Sequence, residues 1–146
     1  PAVTVKDGNV TLKKDRDYTV SYSANKGIGT AKVTVTGKGS YTGKITKTFK
    51  INPQGQSISA KGDKSGKKIA VTLAKHSSNS GYQVSYADNS GFKNSKSLWL
   101  SGNSKNKGTI KGLKSKKTYY VKARDYKTIG KTKVYGKWSA VKKVSI

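Results

Sequence analysis

The sequence predicts an all-β chain built as two small β-sandwich modules in tandem. Three observations lead there. Apolar and polar residues alternate with period two in short runs. Gly, Asn, Asp and Lys turns separate those runs, and one break, Asn52-Pro53-Gln54-Gly55-Gln56, interrupts the pattern. No apolar period of 3.6 residues persists anywhere along the 146 positions, so no helix of three or more turns is expected.

Before the break, strands are predicted at residues 3–5, 10–12, 18–22, 31–35 and 45–51. The last reads Ile45-Thr46-Lys47-Thr48-Phe49-Lys50-Ile51, a regular alternation rich in β-formers. Pro53 cannot donate to a ladder and stops that strand. After the break come 69–73, 82–86, 98–100, 109–110, 119–123 and a last one from 134 to 146. Strands recurring about every ten residues suit sandwiches. The expected modules are 1–52 and 57–146, with 53–56 as linker. The first is close to the size at which a core is only marginal.

Residues 37–44, Gly-Lys-Gly-Ser-Tyr-Thr-Gly-Lys, have the composition of a phosphate cradle but not its spacing. A P-loop needs four residues between its first Gly and Gly-Lys-Ser/Thr, and here Ile45 stands where the hydroxyl should be. A cradle also needs a helix behind it to aim its amides. A strand follows instead, so the stretch is read as a strand-to-strand turn.

Composition narrows the function classes. Lys+Arg number 31 against 6 acids, a net charge of +25, and only Arg16 and Arg124 are arginines. Lysine is a hydrated point charge, whereas the arginine fork reads bases and phosphates. The lysines are dispersed, covering outward strand faces and discouraging edge pairing. Their sharper implication is attraction to polyanions. No motif for specific nucleic-acid recognition is present. Zero Cys excludes disulfides and thiolate metal sites. No apolar run is long enough to span a membrane, so no insertion is expected. The chain starts at Pro1, and is read as a fragment of a longer protein.

Catalysis has little to work with. His76 is the only histidine and falls in a polar turn, Lys75-His76-Ser77-Ser78. The acids are Asp7, Asp15, Asp17, Asp63, Asp88 and Asp125. Asp7 and Asp88 sit beside turn residues. Asp15-Arg16-Asp17 is a charged loop with too few oxygens for calcium. Asp125 is expected to pair with Arg124 or a lysine. The expectation is no catalytic residue, no cofactor and no metal. The pointed feature is Ser97-Leu98-Trp99-Leu100. If Leu98 and Leu100 are core, Trp99 faces outward. By the same alternation Tyr120 and Tyr126 face away from Tyr119. Trp99, Tyr120 and Tyr126 are therefore candidate glycan-binding residues, since exposed rings stack on sugars or bases.

Several stretches resemble known families. Gly81-Tyr82-Gln83-Val84-Ser85-Tyr86, the run from Gly112-Leu113 to Tyr119-Tyr120-Val121, and Gly136-Lys137-Trp138-Ser139 resemble a fibronectin type III domain over roughly 57–146. The resemblance implies a structural corner in which Tyr119 is buried and bonds backbone near Leu113. Two departures stand out: Leu73 occupies the place of the usual core Trp, and Ser115 that of the usual Pro. The first half, through Asp17-Tyr18-Thr19-Val20-Ser21-Tyr22 and the 37–43 turn, is similar to a bacterial immunoglobulin-like repeat of Gram-positive secreted proteins, which implies an inward Tyr41. The lysine-rich style resembles repeats of Firmicutes surface proteins. Together these imply an extracellular, secreted or surface-attached accessory module without catalysis, spacing or presenting an enzymatic or adhesive head. Its partners would be other domains of the parent protein. The alternative is a binding module for anionic cell-wall polymers or host glycans.

Overall fold

A computed structural model describes residues 1–146, and the chain is all-β. It divides into two compact units, Pro1–Ile51 and Asn52–Ile146.

The first unit holds a three-stranded antiparallel sheet, β3 (Tyr18–Ser23), β4 (Gly29–Gly37) and β5 (Lys44–Ile51), and a hairpin of β1 (Lys6–Asp7) and β2 (Val10–Thr11). Register aligns Val20, Val35 and Ile45 on one face and Ser21, Thr34 and Thr46 on the other. The apolar face has little cover: Leu12, Tyr18 and Ala31 are its buried hydrophobics, while Val10, Tyr22 and Ile45 are exposed. The second layer is thus a hairpin of two residues per strand. The strand expected at 3–5 does not form; Val5 enters the hairpin only by accepting the Leu12 N–H at 2.9 Å.

The 38–43 turn joins β4 to β5, and the Gly37, Lys38 and Tyr41 amides are taken by backbone carbonyls. Gly37 N–H donates to the Gly43 carbonyl at 3.0 Å and Lys38 N–H to the Asp17 carbonyl at 2.9 Å. Positive φ at Gly39 and Gly43 closes it. Tyr41 is half-buried, lining a groove with Leu12, Tyr18 and Val35. In the neighbouring loop the Asp17 carboxylate takes both the Nε and Nη2 of Arg16 and the Lys13 N–H. Hydrogen bonding from Arg16, then from Lys13, holds Asp17 below the usual carboxylate range.

The second unit is a sandwich. One sheet runs β10 (Lys107–Ile110), β7 (Lys68–Leu73), β6 (Ile58–Asp63); the other runs β12 (Thr132–Tyr135), β11 (Thr118–Ile129), β8 (Gly81–Ala87), β9 (Lys96–Ser101), with β13 (Lys142–Ser145) also on β11. Inward residues of both sheets, including Ile69, Val71, Tyr82, Val84, Val121 and Val144, form one core. β6 escapes the period-two signal because its inward positions after Ile58 are Ala60 and Gly62, too small to mark a face.

Three sequence expectations are corrected here. Residues 53–56 are not a free linker: Pro53 and Gln56 are buried, and the Gln54 carbonyl lies so close to Gly136 that a side chain there would collide with it. The single strand expected from 134 to 146 is two. Between them the Ser139 N–H donates to the Ala123 carbonyl at 2.7 Å and its Oγ accepts the Ala123 N–H at 3.0 Å, so a side chain replaces one rung while the chain moves along β11. Last, β11 continues past Ala123 to Ile129 because β8 pairs with it through Tyr126 and β12 pairs with Tyr126–Ile129.

Tyr119 is 8% exposed, and its Oη accepts the Lys114 N–H at 2.9 Å, next to buried Leu113. Tyr119→Phe keeps the ring and strands that amide. A loss of roughly 1 kcal/mol in urea unfolding is expected; an unchanged midpoint would show that the bond contributes nothing.

At the β6–β7 turn, Asp63 Oδ1 accepts the Gly66 N–H at 2.9 Å and the Ser65 hydroxyl at 2.8 Å, and Lys68 Nζ lies 3.3 Å from Oδ2. These, the Gly66 amide foremost, depress the carboxyl to about 2. A depressed acid stabilises the folded state above its unfolded pKa, and that contribution is lost as pH falls through the folded value. The Asp63 carboxyl carbon should therefore titrate near pH 2 by NMR in the folded protein. A midpoint at the ordinary aspartate value would mean that the turn bonds do not persist in solution.

Candidate functional site

β11 sets the site by its alternation. Tyr119, Val121, Ala123 and Asp125 point inward and are buried, so Tyr120, Lys122, Arg124 and Tyr126 project from the outer face. Cross-strand register then places Arg124 beside Gln83 and Gln83 beside Trp99, one row across three strands. Trp99 is 43% exposed, and Leu98 and Leu100 on either side pack against the core.

Rings and cations alternate along this face. Lys122 Nζ lies 3.9 Å from the Phe92 centroid and 4.9 Å from that of Trp138. The Arg124 guanidinium lies 3.7 Å from the Tyr135 ring and 4.3 Å from Trp138, while its Nε donates to Gln83 Oε1 at 2.8 Å. Lys133 Nζ is 5.6 Å from Trp99 and 5.7 Å from Tyr126. Burial lowers the Arg124 pKa from its ordinary value, with Tyr135 opposing it. The chain's four salt bridges involve none of these three cations. Stacks of this kind stabilise by about 0.5–2 kcal/mol each, so they also fasten β12 and the Trp138 segment to the sheet.

The three candidate rings fare differently. Trp99 and Tyr126 meet edge to face, centroids 5.4 Å apart. Tyr120 is half-buried on the same face, six positions along β11 from Tyr126, roughly 20 Å away at strand rise. The expectation that Tyr126 is exposed is corrected: it faces outward but is only 5% exposed. Its partner across the ladder is Gly81, whose missing side chain leaves room for the ring to lie down on the sheet, with Trp99 against it. The same parity puts Lys122 and Arg124 on this face. Phe92, Tyr135 and Trp138 reach it only because loops and β12 bring them there.

A second cluster lies on the inner side. Asp125 is fully buried; Oδ1 accepts from Gln56 Nε2 at 2.6 Å and Oδ2 lies 2.6 Å from His76 Nδ1. Gln56 Oε1 accepts the Ser57 and Ala74 N–H groups, and its Nε2 also donates to the Ala74 carbonyl. His76 is thus no free loop histidine, and Asp125 does not pair with Arg124 or a lysine, because adjacent strand residues point to opposite faces. A carboxylate–imidazole pair can orient a general base, but here the second carboxylate oxygen is held by Gln56, and the hub ties residue 56 to β7 and β11.

No family model matches this chain, and no curated protein does. Solved structures do: the FN1–FN3 domains of chicken CNTN1 match with 16% identity and a TM-score of 0.54, covering 87% of this chain and 55% of that one. The chain thus spans about half the length of that structure. At this identity the likeness establishes the fold alone, an all-β architecture like that of fibronectin type III domains.

Proposed function

We propose that the chain is a non-catalytic accessory module of an extracellular, secreted or surface-attached bacterial protein of Gram-positive type, spacing or presenting an enzymatic or adhesive head. The observation that supports it most is how the chemically able groups are used. The one fully buried acid, Asp125, bonds the lone histidine through one oxygen and Gln56 through the other, holding the sandwich together. The remaining acids with short contacts, Asp17 and Asp63, tie down their own loops. Around them stand two compact β units whose outward faces carry dispersed lysine, and the fold is one that the CNTN1 structure uses in consecutive domains. The test is replacement within the parent protein by an unrelated pair of β modules of equal length. Head activity and surface display should survive the exchange. Loss of function after it would show that the module contributes something more specific than distance.

A further inference from the structure

We propose that the outer face of the β9–β8–β11–β12 sheet is a binding site for a carboxylate-bearing saccharide, with Trp99 as its stacking platform and Lys133 and Arg124 as its carboxylate contacts. The inference does not depend on the spacing role. Its basis is a charge mismatch inside an ordered site. Lys122, Arg124 and Lys133 are held against rings, yet no carboxylate of the chain pairs with them. The nearest acid in sequence, Asp125, points through the sheet to the other side and is consumed by His76 and Gln56. Burial already disfavours the charge on Arg124. Its Nε is fixed on Gln83, which orients the guanidinium plane, and its Nη groups have no partner within the chain. A guanidinium oriented in this way suits a planar carboxylate.

The surroundings are built as well as charged. Phe92, a bulky residue, adopts φ +55°, a conformation such residues rarely take without support. The support is Asn89, which accepts the Lys93 N–H and donates to the Lys93 carbonyl, both at 2.9 Å. At the other end Trp99 keeps 43% of its surface exposed beside Tyr126 and Lys133.

Ligand chemistry follows from combining these parts. An exposed indole takes the flat C–H face of a pyranose ring, and neighbouring cations take its carboxylate. A glycerol-phosphate polymer offers charge but no ring for Trp99. A neutral glycan offers rings but leaves the cations unpaired.

The experiment compares polygalacturonate, its fully methyl-esterified form, a glycerol-phosphate polymer and single-stranded DNA at physiological ionic strength, by calorimetry. The proteins are wild type, Trp99→Ala, Lys133→Gln, Arg124→Lys and a control carrying Lys32→Gln and Lys50→Gln on the first unit. Wild type should bind polygalacturonate best. Trp99→Ala should weaken it roughly tenfold, the loss of one stacked ring, with Lys133→Gln and Arg124→Lys also weakening it. The control should change it by less than about twofold, because dispersed lysines are individually replaceable. Trp99 and Lys133 lie on the surface, so their variants test the site even if Arg124→Lys disturbs the fold. Equal binding of the methyl ester, tighter binding of the phosphate polymer or DNA, or equal losses in the control and in Trp99→Ala would each overturn the proposal.

Discussion

Asp125→Ala is expected to cost about 3–5 kcal/mol of unfolding free energy in the second unit, because it strands polar partners inside the sandwich. Asp125 and Gln56 are both buried, so Gln56 Nε2 has no water at hand to replace the lost oxygen, and the partly exposed His76 loses its only side-chain partner. Gln56 cannot turn away cheaply, since its Oε1 already holds two backbone amides. The damage should spread to the chain entry at residues 53–57 and to the end of β7, which share that hub. Urea unfolding monitored by intrinsic fluorescence measures it, with amide exchange at Ser57 and Ala74 as the local readout. His76→Ala in the Asp125→Ala background should cost much less than in wild type, because the pair is already broken. A loss below about 1 kcal/mol for Asp125→Ala would show that the carboxylate is not held as described.

Gly81→Ala should cost about 3 kcal/mol or more, a large penalty for adding one methyl group. The backbone at Gly81 has φ +150°, where non-glycine residues carry roughly 1–3 kcal/mol of strain. The added Cβ would also collide with the Leu100 carbonyl on β9 and come within 2.8 Å of Tyr126 Oη. The backbone oxygen belongs to the ladder and cannot swing aside, so β8 and β9 must separate at that end. Tyr126 must rise from the sheet, and Trp99 loses its edge contact. The expected signature is a lower denaturation midpoint together with a shifted Trp99 emission, resolved by doing the experiment in a Trp138→Phe background. A stability within about 0.5 kcal/mol of wild type would mean the two strands are free to adjust, and that Gly81 is not what lets Tyr126 lie flat.

These two residues also show what could be read from the chain. The inward parity of Asp125 was available: it continues Tyr119, Val121 and Ala123. That a carboxylate on an inward position must find buried partners follows from desolvation. Which partners it finds could not be read, because His76 and Gln56 are 49 and 69 positions away. Alternation with Leu98 and Leu100 suffices to turn Trp99 outward. For Tyr126 it gives the face but not the depth, since alternation specifies direction and says nothing of what lies across the ladder.

By itself the sequence determined the strand class, most strand positions, the inward and outward residues of each, and the turn at 38–43, because side-chain alternation and glycine geometry are local properties of the backbone. It also determined the surplus of positive charge. Only the tertiary structure decided which cations found rings, which found acids and which found neither. It decided that 53–56 belongs to the second unit, and that the run from 134 to 146 breaks so that Ser139 can replace a rung of the ladder. The physical reason is common to all of these. Cation–ring stacks, buried polar hubs and close glycine contacts depend on register between strands distant in sequence, and register is settled only when whole faces pack together.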